Sequence, residues 1–246
     1  MIMVGQRDLG SSLLFFTLFV VMVWIATERV GYLIAGVLLF AGAAYMAWRL
    51  FGHVQTRVDI WLDPWADRYG RGYQIVQALY GLADGGIIGT GIGQGSPDIV
   101  PEAQNDFIFA AIGEELGLIG ATGVLASYVM IITAGLRVAT RTNRDIEKLL
   151  SVGLTTIIGM QAFIIIGGVI KVVPLTGITL PFVSYGGSSL LANYILLALL
   201  IRLSDMSAVR LGERPDVPTW AEKFAAWRYR RRGGTLSATG VLPVSE

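Results

Sequence analysis

The sequence contains five long apolar runs, separated by short polar breaks and by one long polar stretch. A helix needs roughly 20 mostly apolar residues to cross the hydrocarbon core of a bilayer, which is about 30 Å thick, because each residue rises about 1.5 Å. The pattern therefore predicts an all-α polytopic integral membrane protein with about five transmembrane helices, and the polar break Glu28-Arg29 makes the first two a helical hairpin. The predicted spans are residues 11–27, 30–48, 107–136, 149–173 and 189–203.

Composition excludes the soluble globular class and several kinds of site. Of the 246 residues, 54% are hydrophobic and only 15% are charged, and the mean hydropathy is +0.62. A soluble core of this size would leave too much apolar surface uncovered. The chain has no cysteine and a single histidine, His53, which excludes a disulfide framework, a thiolate metal site and a multi-histidine metal site.

The distribution of basic residues predicts the orientation. Lysine and arginine collect at 137–148 and after residue 202, and such excess is typical of cytoplasmic segments. The stretch 52–105 is mainly acidic and is predicted to be a large extracytoplasmic loop. We therefore expect a transmembrane domain at 1–204 and a cytoplasmic basic tail at 205–246, partly disordered, which is either solvated or associated with lipid headgroups rather than bound to nucleic acid. Five spans place the N-terminus outside, an unusual beginning, so we expect further helices upstream.

The predicted outer loop carries two kinds of local signal. Its aromatic residues indicate a packed or interfacial structure rather than disorder, with a short interfacial helix at 74–82. The glycine-rich segment, residues 85–95, lacks the preceding strand of a dinucleotide-binding loop. Tight turns at the membrane face are the favoured interpretation, and weak anion binding by successive backbone N–H groups stays open.

Acidic residues enter an apolar helix at the end of this loop. Asp106 stands at the predicted helix start, where a carboxylate either caps free N–H groups or serves a functional site. Glu114 follows two turns later, and by helix geometry it is expected to share the cavity of Asp106, about 12 Å deeper. Lys171, near the end of the fourth predicted span, is either the countercharge of Asp106 or a side chain that snorkels to the interface.

The segment 174–189 contains two prolines and three glycines and cannot form a continuous helix. Irregular backbone near membrane depth persists only where protein or a water-filled cavity satisfies its polar groups. We therefore expect this segment to fold back beside Asp106 and to line the same cleft, with Ser184 and Ser188 as candidate substrate-binding residues.

These residues resemble the signature of the SEDS family of bacterial proteins, the FtsW, RodA and SpoVE group. The resemblance is carried by 101–117 and 174–189, with support from 8–10 and 57–65, and covers nearly all of residues 7–204. It implies that the chain is the C-terminal half of a protein with about ten spans. The sequence Leu175-Thr176-Gly177 is similar to the RodA branch, whereas Gln104-Asn105 replaces the family's usual His-Thr pair.

The resemblance implies a peptidoglycan glycosyltransferase that polymerises lipid II during cell elongation or division, at the extracytoplasmic face of the bacterial cell membrane. Asp106 occupies the position of the family's essential aspartate and is the expected general base, with polyprenyl diphosphate as the leaving group. The family also implies Mg²⁺ or Mn²⁺, without a dedicated protein metal site, and a class B penicillin-binding protein as partner. The candidate substrate-binding residues are Arg57, Glu102, Glu114, Lys171, Ser184 and Ser188.

Two other functions remain open at this point. A flippase or ion-coupled transporter of lipid-linked precursors would use Glu114 and Lys171 as buried or gating charges. A non-catalytic scaffold fragment would dock the penicillin-binding protein through lipid-facing helix surfaces.

Overall fold

The computed structural model describes residues 9–142 and 144–212, and every regular element within these ranges is a helix. Short 3-10 turns at Pro64–Asp67 and Pro97–Ile99 join the α-helices of the long polar stretch. The all-α prediction is confirmed. The α-helices are α1 (Leu9–Thr27), α2 (Val30–Leu50), α3 (Gly52–Leu62), α4 (Tyr73–Gly85), α5 (Ile108–Arg141), α6 (Asp145–Val169) and α7 (Gly187–Arg210).

Five of these helices, namely α1, α2, α5, α6 and α7, are long and apolar enough to cross a membrane. They correspond one to one with the five predicted spans, so the prediction of a polytopic membrane protein is confirmed. The chain divides into two units, with the boundary between Ser204 and Asp205. Most of the predicted basic tail, from residue 213 onwards, lies outside the described residues, and its cytoplasmic position stays a prediction.

Three spans differ from the predicted ones by four residues or more at one end or both. Helix α5 continues to Arg141 instead of ending at 136, and α7 continues to Arg210 instead of ending at 203. Helix α6 runs over Asp145–Val169 instead of 149–173. Asp145 and Glu147 lie in the first turn of α6, where carboxylates interact favourably with the free N–H groups and the helix dipole. The prediction used only the length of the apolar run and not these charged residues, so it began α6 one turn too late.

A Schellman motif ends α6 and leaves Lys171 outside the helix. Lys171 has a left-handed backbone with φ of 61°, and its N–H donates to the Gly168 carbonyl at 3.2 Å. The next N–H, of Val172, donates to the Gly167 carbonyl at 2.7 Å. Glycine is the usual residue at this position because a side chain there is strained, so a lysine there did not indicate a helix cap.

The core of the membrane domain is built around α6, the most enclosed of the spans. Helices α1 and α5 pack against α6, and α4 packs against α5. Small residues allow the backbones of α5 and α6 to approach closely. A Cβ added to Gly135 of α5 would lie 2.1 Å from the Thr155 hydroxyl oxygen of α6. The main buried cluster includes Ala78, Phe107, Phe109, Tyr128, Ile158, Ile165, Val169 and Leu180.

The long polar stretch before α5 is folded. Helix α4 spans Tyr73–Gly85, which confirms the helix predicted at 74–82, although its interfacial position stays a prediction. Ile75, Val76 and Ala78 are buried, because they form the apolar stripe that α4 turns towards α5. This packing fixes α4 beside the start of α5 and thereby determines which polar side chains of the stretch reach Asp106.

Helix α5 is broken at Gly117, where the backbone has φ of 64° and ψ of −164°. In an unbroken helix the N–H groups of Leu118 and Ile119 would donate to the carbonyls of Glu114 and Glu115. The break leaves these four groups without helical partners, and buried backbone groups need partners.

The glycine-rich segment supplies all four partners. The N–H groups of Leu118 and Ile119 donate to the carbonyls of Gly86 (2.9 Å) and Ile87 (3.2 Å). In return, the N–H groups of Thr90 and Gly91 donate to the carbonyls of Glu114 (2.9 Å) and Glu115 (3.0 Å). The segment is therefore hydrogen-bonded to the backbone of a spanning helix between its two ends. Its glycines permit this because they let the two backbones approach closely.

Candidate active site around Asp106

Asp106 precedes α5 and takes no part in capping it. The helix begins at Ile108, its N-cap residue is Phe107, and no side chain caps it. Among the described residues, none forms a hydrogen bond or ion pair with the Asp106 carboxylate. The capping interpretation is therefore wrong, and the carboxylate is available for another role.

The Asp106 side chain lines a cavity of about 190 Å³. Three parts of the chain meet there, namely α3, the start of α4 and the segment after α6, so the cavity depends on contacts between residues far apart in sequence. Two arginines and one glutamine accompany the carboxylate among mainly apolar neighbours. The lining residues are Arg57, Ile60, Trp61, Arg71, Gln74, Ile75, Asp106, Phe107, Leu175 and Gly177.

The surroundings raise the pKa of Asp106 above its ordinary value. Burial is the main cause, since it disfavours the charged carboxylate, and the negative charge of Glu102 adds to the effect. The positive charge of Arg57 acts in the opposite direction and lowers the pKa. Asp106 is therefore a stronger base than an exposed aspartate, a property suited to accepting a proton.

Helix α3 is tied to the segment that follows α6. The Arg57 guanidinium donates through Nη1 to the Leu175 carbonyl at 2.8 Å, and the indole N–H of Trp61 donates to the Lys171 carbonyl at 3.0 Å. Gly177 has φ of 76°, and a Cβ added there would lie 3.6 Å from Asp106 Oδ2. These contacts hold the backbone of 174–177 directly beside the carboxylate.

The segment 174–189 folds back beside Asp106, as predicted. The Ser184 hydroxyl donates to the Asn105 carbonyl at 2.6 Å and accepts from the Leu180 N–H at 2.8 Å. The Tyr185 N–H donates to the Gln104 carbonyl at 2.9 Å. Ser184 is only 1% exposed, so it joins two backbone segments in the interior instead of facing the cavity. Ser188 is exposed in the first turn of α7 and does not line the cavity either.

Glu102 lies in the turn that leads to Asp106. It is exposed and has a left-handed backbone with φ of 58°, and its Oε2 accepts a hydrogen bond from the Asn105 side-chain amide. Arg57 and Glu102 are therefore close enough to Asp106 for their charges to affect its pKa, although only Arg57 lines the cavity. Their substrate-binding roles stay predictions.

Glu114 does not share the Asp106 cavity, and that expectation is wrong. Its buried carboxylate accepts the Ser96 N–H at 2.6 Å, and Glu115 accepts the Gly93 N–H at 3.1 Å. The prediction assumed a straight helix with an open face, whereas the glycine-rich segment covers that face. Backbone N–H groups of this region do bind anions, but these anions are carboxylates of the chain itself.

The countercharge role expected of Lys171 is not supported. Its carbonyl is bound by Trp61, its side chain does not line the cavity, and the cation that acts on Asp106 is Arg57. The Schellman motif explains why this prediction failed. The prediction placed Lys171 within the fourth span, whereas the motif ends α6 at Val169 and turns the chain away from the helix axis.

Sequence reasoning missed Arg71 and Gln74 as cavity residues. Arg71 is held by Asp67, with 3.4 Å between Nε and Oδ2, and the Gln74 side-chain amide donates to the Pro101 carbonyl at 3.4 Å. Their approach to Asp106 depends on the turn between α3 and α4, which no local pattern in the sequence specified. Within the described residues, no group of three or more histidine, cysteine, aspartate or glutamate side chains is placed to hold a metal ion.

Comparison with known proteins identifies the family. The family model for FtsW, RodA and SpoVE, described as cell cycle protein, matches residues 1–208. The chain belongs to the FtsW/RodA/SpoVE family. The resemblance drawn from the motifs around Asp106 is thereby confirmed, and the family's SEDS-type membrane architecture agrees with the five apolar helices.

The relatives of this FtsW/RodA/SpoVE chain favour the RodA branch, as predicted. It is 52% identical over 214 residues to the peptidoglycan glycosyltransferase RodA of Mycobacterium tuberculosis, covering 87% of this chain and 46% of that protein. It is 36% identical over 214 residues to stage V sporulation protein E of Bacillus subtilis, covering 84% of this chain and 57% of that protein. The chain thus spans about half the length of the curated relatives it matches.

A solved structure shares the fold. It is described as "Structural coordination of polymerization and crosslinking by a peptidoglycan synthase complex", and the match has a TM-score of 0.69 at 28% identity. The alignment covers 83% of this chain and 58% of that chain.

Proposed function

We propose that the protein is a peptidoglycan glycosyltransferase that polymerises lipid II at the extracytoplasmic face of the bacterial cell membrane. The observation that carries the proposal is the Asp106 carboxylate, which is partly buried, made more basic by its surroundings and free of hydrogen bonds to the described residues, in a cavity with two arginines. Support also comes from the relatives, several of which are named peptidoglycan glycosyltransferases.

In the proposed reaction, Asp106 accepts the proton of the 4-hydroxyl group of one sugar. The hydroxyl oxygen then forms a bond to the anomeric carbon of a second sugar, whose bond to polyprenyl diphosphate breaks with both electrons leaving on the diphosphate. A carboxylate within reach of the hydroxyl stabilises this transition state by taking up the developing positive charge.

Arg57 and Arg71 are proposed to bind the departing diphosphate. Both arginines line the Asp106 cavity, and positive charge fixed in place before the reaction stabilises negative charge that develops on a leaving group. Arg57 is oriented by its hydrogen bond to the Leu175 carbonyl. Lys171, the other cation considered from the sequence, has no such position.

A divalent cation, Mg²⁺ or Mn²⁺, is proposed to assist this charge neutralisation. Such ions commonly bind through one or two carboxylates together with substrate phosphates. The residues present fit that arrangement, because Glu102 lies in the same turn as Asp106 and its negative charge raises the pKa of Asp106. Glu102 would be the protein ligand, and the ion would supply positive charge near the diphosphate.

A class B penicillin-binding protein is the proposed partner that cross-links the glycan strands. The solved structure with the same fold is described as a complex that coordinates polymerisation and crosslinking.

The proposal is tested by polymerisation of fluorescent lipid II in proteoliposomes that contain the protein and its partner. Asp106→Asn keeps the size and polarity of the side chain but removes the base, and we expect about a hundredfold or greater loss of polymer, in line with the usual contribution of a general base. Asp98→Asn, at an exposed aspartate in the same stretch, is the matched control and should polymerise normally. Equal yields from the two variants would remove Asp106 as the base.

A second assay on the same proteoliposomes separates the competing functions. Translocation of lipid II across the bilayer with no polymer formed by the wild-type protein would support a transporter. Neither activity, together with retained binding of the partner, would support a scaffold.

A further inference from the structure

The glycine-rich segment, residues 85–95, has an apolar exterior that the proposed reaction does not use. It contains no charged residue. Its three isoleucines point outwards: Ile87 is 68% exposed, and Ile88 and Ile92 are each 80% exposed. Exposed apolar side chains clustered on one short loop are uncommon unless the loop contacts a partner or a membrane.

Pairing with α5 fixes the position of this segment along a spanning helix. The segment bonds to the backbone of α5 between Glu114 and Ile119. The part of α5 without charged residues runs from Leu116 to Leu136, between Glu115 and Arg137. At about 1.5 Å per residue this stretch is about 30 Å long, which matches the thickness of the hydrocarbon core. The pairing therefore lies at one boundary of the hydrocarbon.

The neighbouring surface of α5 is apolar as well. Leu118 and Ile119, whose N–H groups bond to Gly86 and Ile87, are 59% and 63% exposed. The isoleucines of the segment are thus adjacent to a helix surface that lies at membrane depth, and the two form one continuous apolar surface.

Many polar backbone groups of the segment are bonded within the protein. Besides the four bonds across the α5 break, the Gly89 N–H donates to the Gly85 carbonyl at 2.7 Å and the Gln94 N–H to the Gly91 carbonyl at 3.0 Å. The Gly93 N–H donates to the Glu115 carboxylate. Irregular backbone enters the apolar region of a bilayer only where its polar groups have such partners. The segment combines partial internal bonding with an apolar exterior, an arrangement suited to the boundary of the hydrocarbon, where water and headgroups reach the other backbone groups.

We propose that residues 87–92 form a membrane-inserted loop, with Ile87, Ile88 and Ile92 in contact with lipid acyl chains at the boundary of the leaflet that α5 enters. The insertion anchors the turn that follows, through Ser96 and Glu114, and so holds the approach to Asp106 at the membrane surface. The inference does not depend on the proposed catalytic activity.

Fluorescence quenching in liposomes tests this loop directly. The sequence has no cysteine, so Ile88→Cys and Ile92→Cys each give a single attachment site for an environment-sensitive NBD dye. Tyr69→Cys is the matched control, because Tyr69 lies in the same polar stretch, is 82% exposed and follows a charged residue. The full protein is reconstituted in phosphatidylethanolamine and phosphatidylglycerol vesicles, with quenching by nitroxide-labelled acyl chains or by aqueous iodide.

We expect the dyes at 88 and 92 to be quenched by the nitroxide lipids and to be several-fold less accessible to iodide than the dye at 69. The control dye should show the reverse. Iodide quenching at 88 and 92 as strong as at 69 would place the loop in water and overturn the proposal. Weak quenching by both agents would mean that protein covers the isoleucines, and this also overturns it.

Discussion

Asp106 and its neighbours show how single residues determine the chemistry of the site. The carboxylate stands just before α5, where it neither caps the helix nor bonds to the other described residues. Burial and Glu102 raise its pKa, and Arg57 limits the rise. A general base needs both accessibility and basicity, and this position supplies them together.

Lys171 provides a prediction at the scale of one residue. Its left-handed backbone costs about 1–2 kcal/mol for a residue with a Cβ, so Lys171→Gly should raise the free energy of unfolding by about 1 kcal/mol. Because its side chain does not line the Asp106 cavity, polymerisation should be retained. Thermal unfolding in detergent and the lipid II assay measure the two effects. A stable variant that has lost polymerisation would restore Lys171 as a functional cation.

At the scale of elements, the break in α5 and the glycine-rich segment form one unit. The four backbone groups released at Gly117 bond to the segment. The Glu115 carboxylate binds Gly93 near its far end, and the Glu114 carboxylate binds Ser96 just beyond it. The segment leads into the turn that carries Asp106, so the broken helix contributes to the position of the site.

Gly117→Ala tests this unit. The backbone at Gly117 is strongly unfavourable for alanine, and the added Cβ would lie 2.4 Å from the Gly89 nitrogen. We expect a loss of at least about 2 kcal/mol in the free energy of unfolding, with faster hydrogen exchange at residues 89–91. Gly123→Ala is the matched control in the same helix, since nothing lies within 4 Å of its added Cβ, and it should stabilise by about 0.5–1 kcal/mol. Equal effects of the two substitutions would contradict the described break.

The sequence predicted the spanning helices well but not the break. Apolar run length identified all five spans, because the thickness of the bilayer sets a minimum that few other structures require. Gly117 carried no distinguishing signal, since glycine is frequent in membrane helices. The break requires the glycine-rich segment as its partner, and the prediction that Glu114 faces Asp106 failed for this reason.

At the scale of the whole molecule, the site is assembled from distant parts of the chain. Arg57 from α3, Gln74 from α4 and Gly177 from the segment after α6 meet at Asp106. The return of 174–189 could be predicted, because irregular backbone at membrane depth needs protein partners. The approach of Arg71 and Gln74 to Asp106 could not be predicted, because it depends on the turn between α3 and α4 and on the packing of α4 against α5.

The most direct test of the account is the pH dependence of kcat/KM for lipid II polymerisation, which reports the ionisation of the free enzyme. A general base works when it is deprotonated, so activity should fall as the pH drops through the pKa of Asp106. That pKa is raised above the ordinary value. The acidic limb of the pH profile, where kcat/KM falls, should therefore lie at a higher pH than for an exposed aspartate.

Two variants should move this limb in opposite directions. Glu102→Gln removes a negative neighbour, which lowers the pKa of Asp106 and shifts the limb to lower pH, whereas Arg57→Gln removes the positive neighbour and shifts it to higher pH. An acidic limb that stays in the same place in both variants would contradict the central claim that the Asp106 carboxylate is the base.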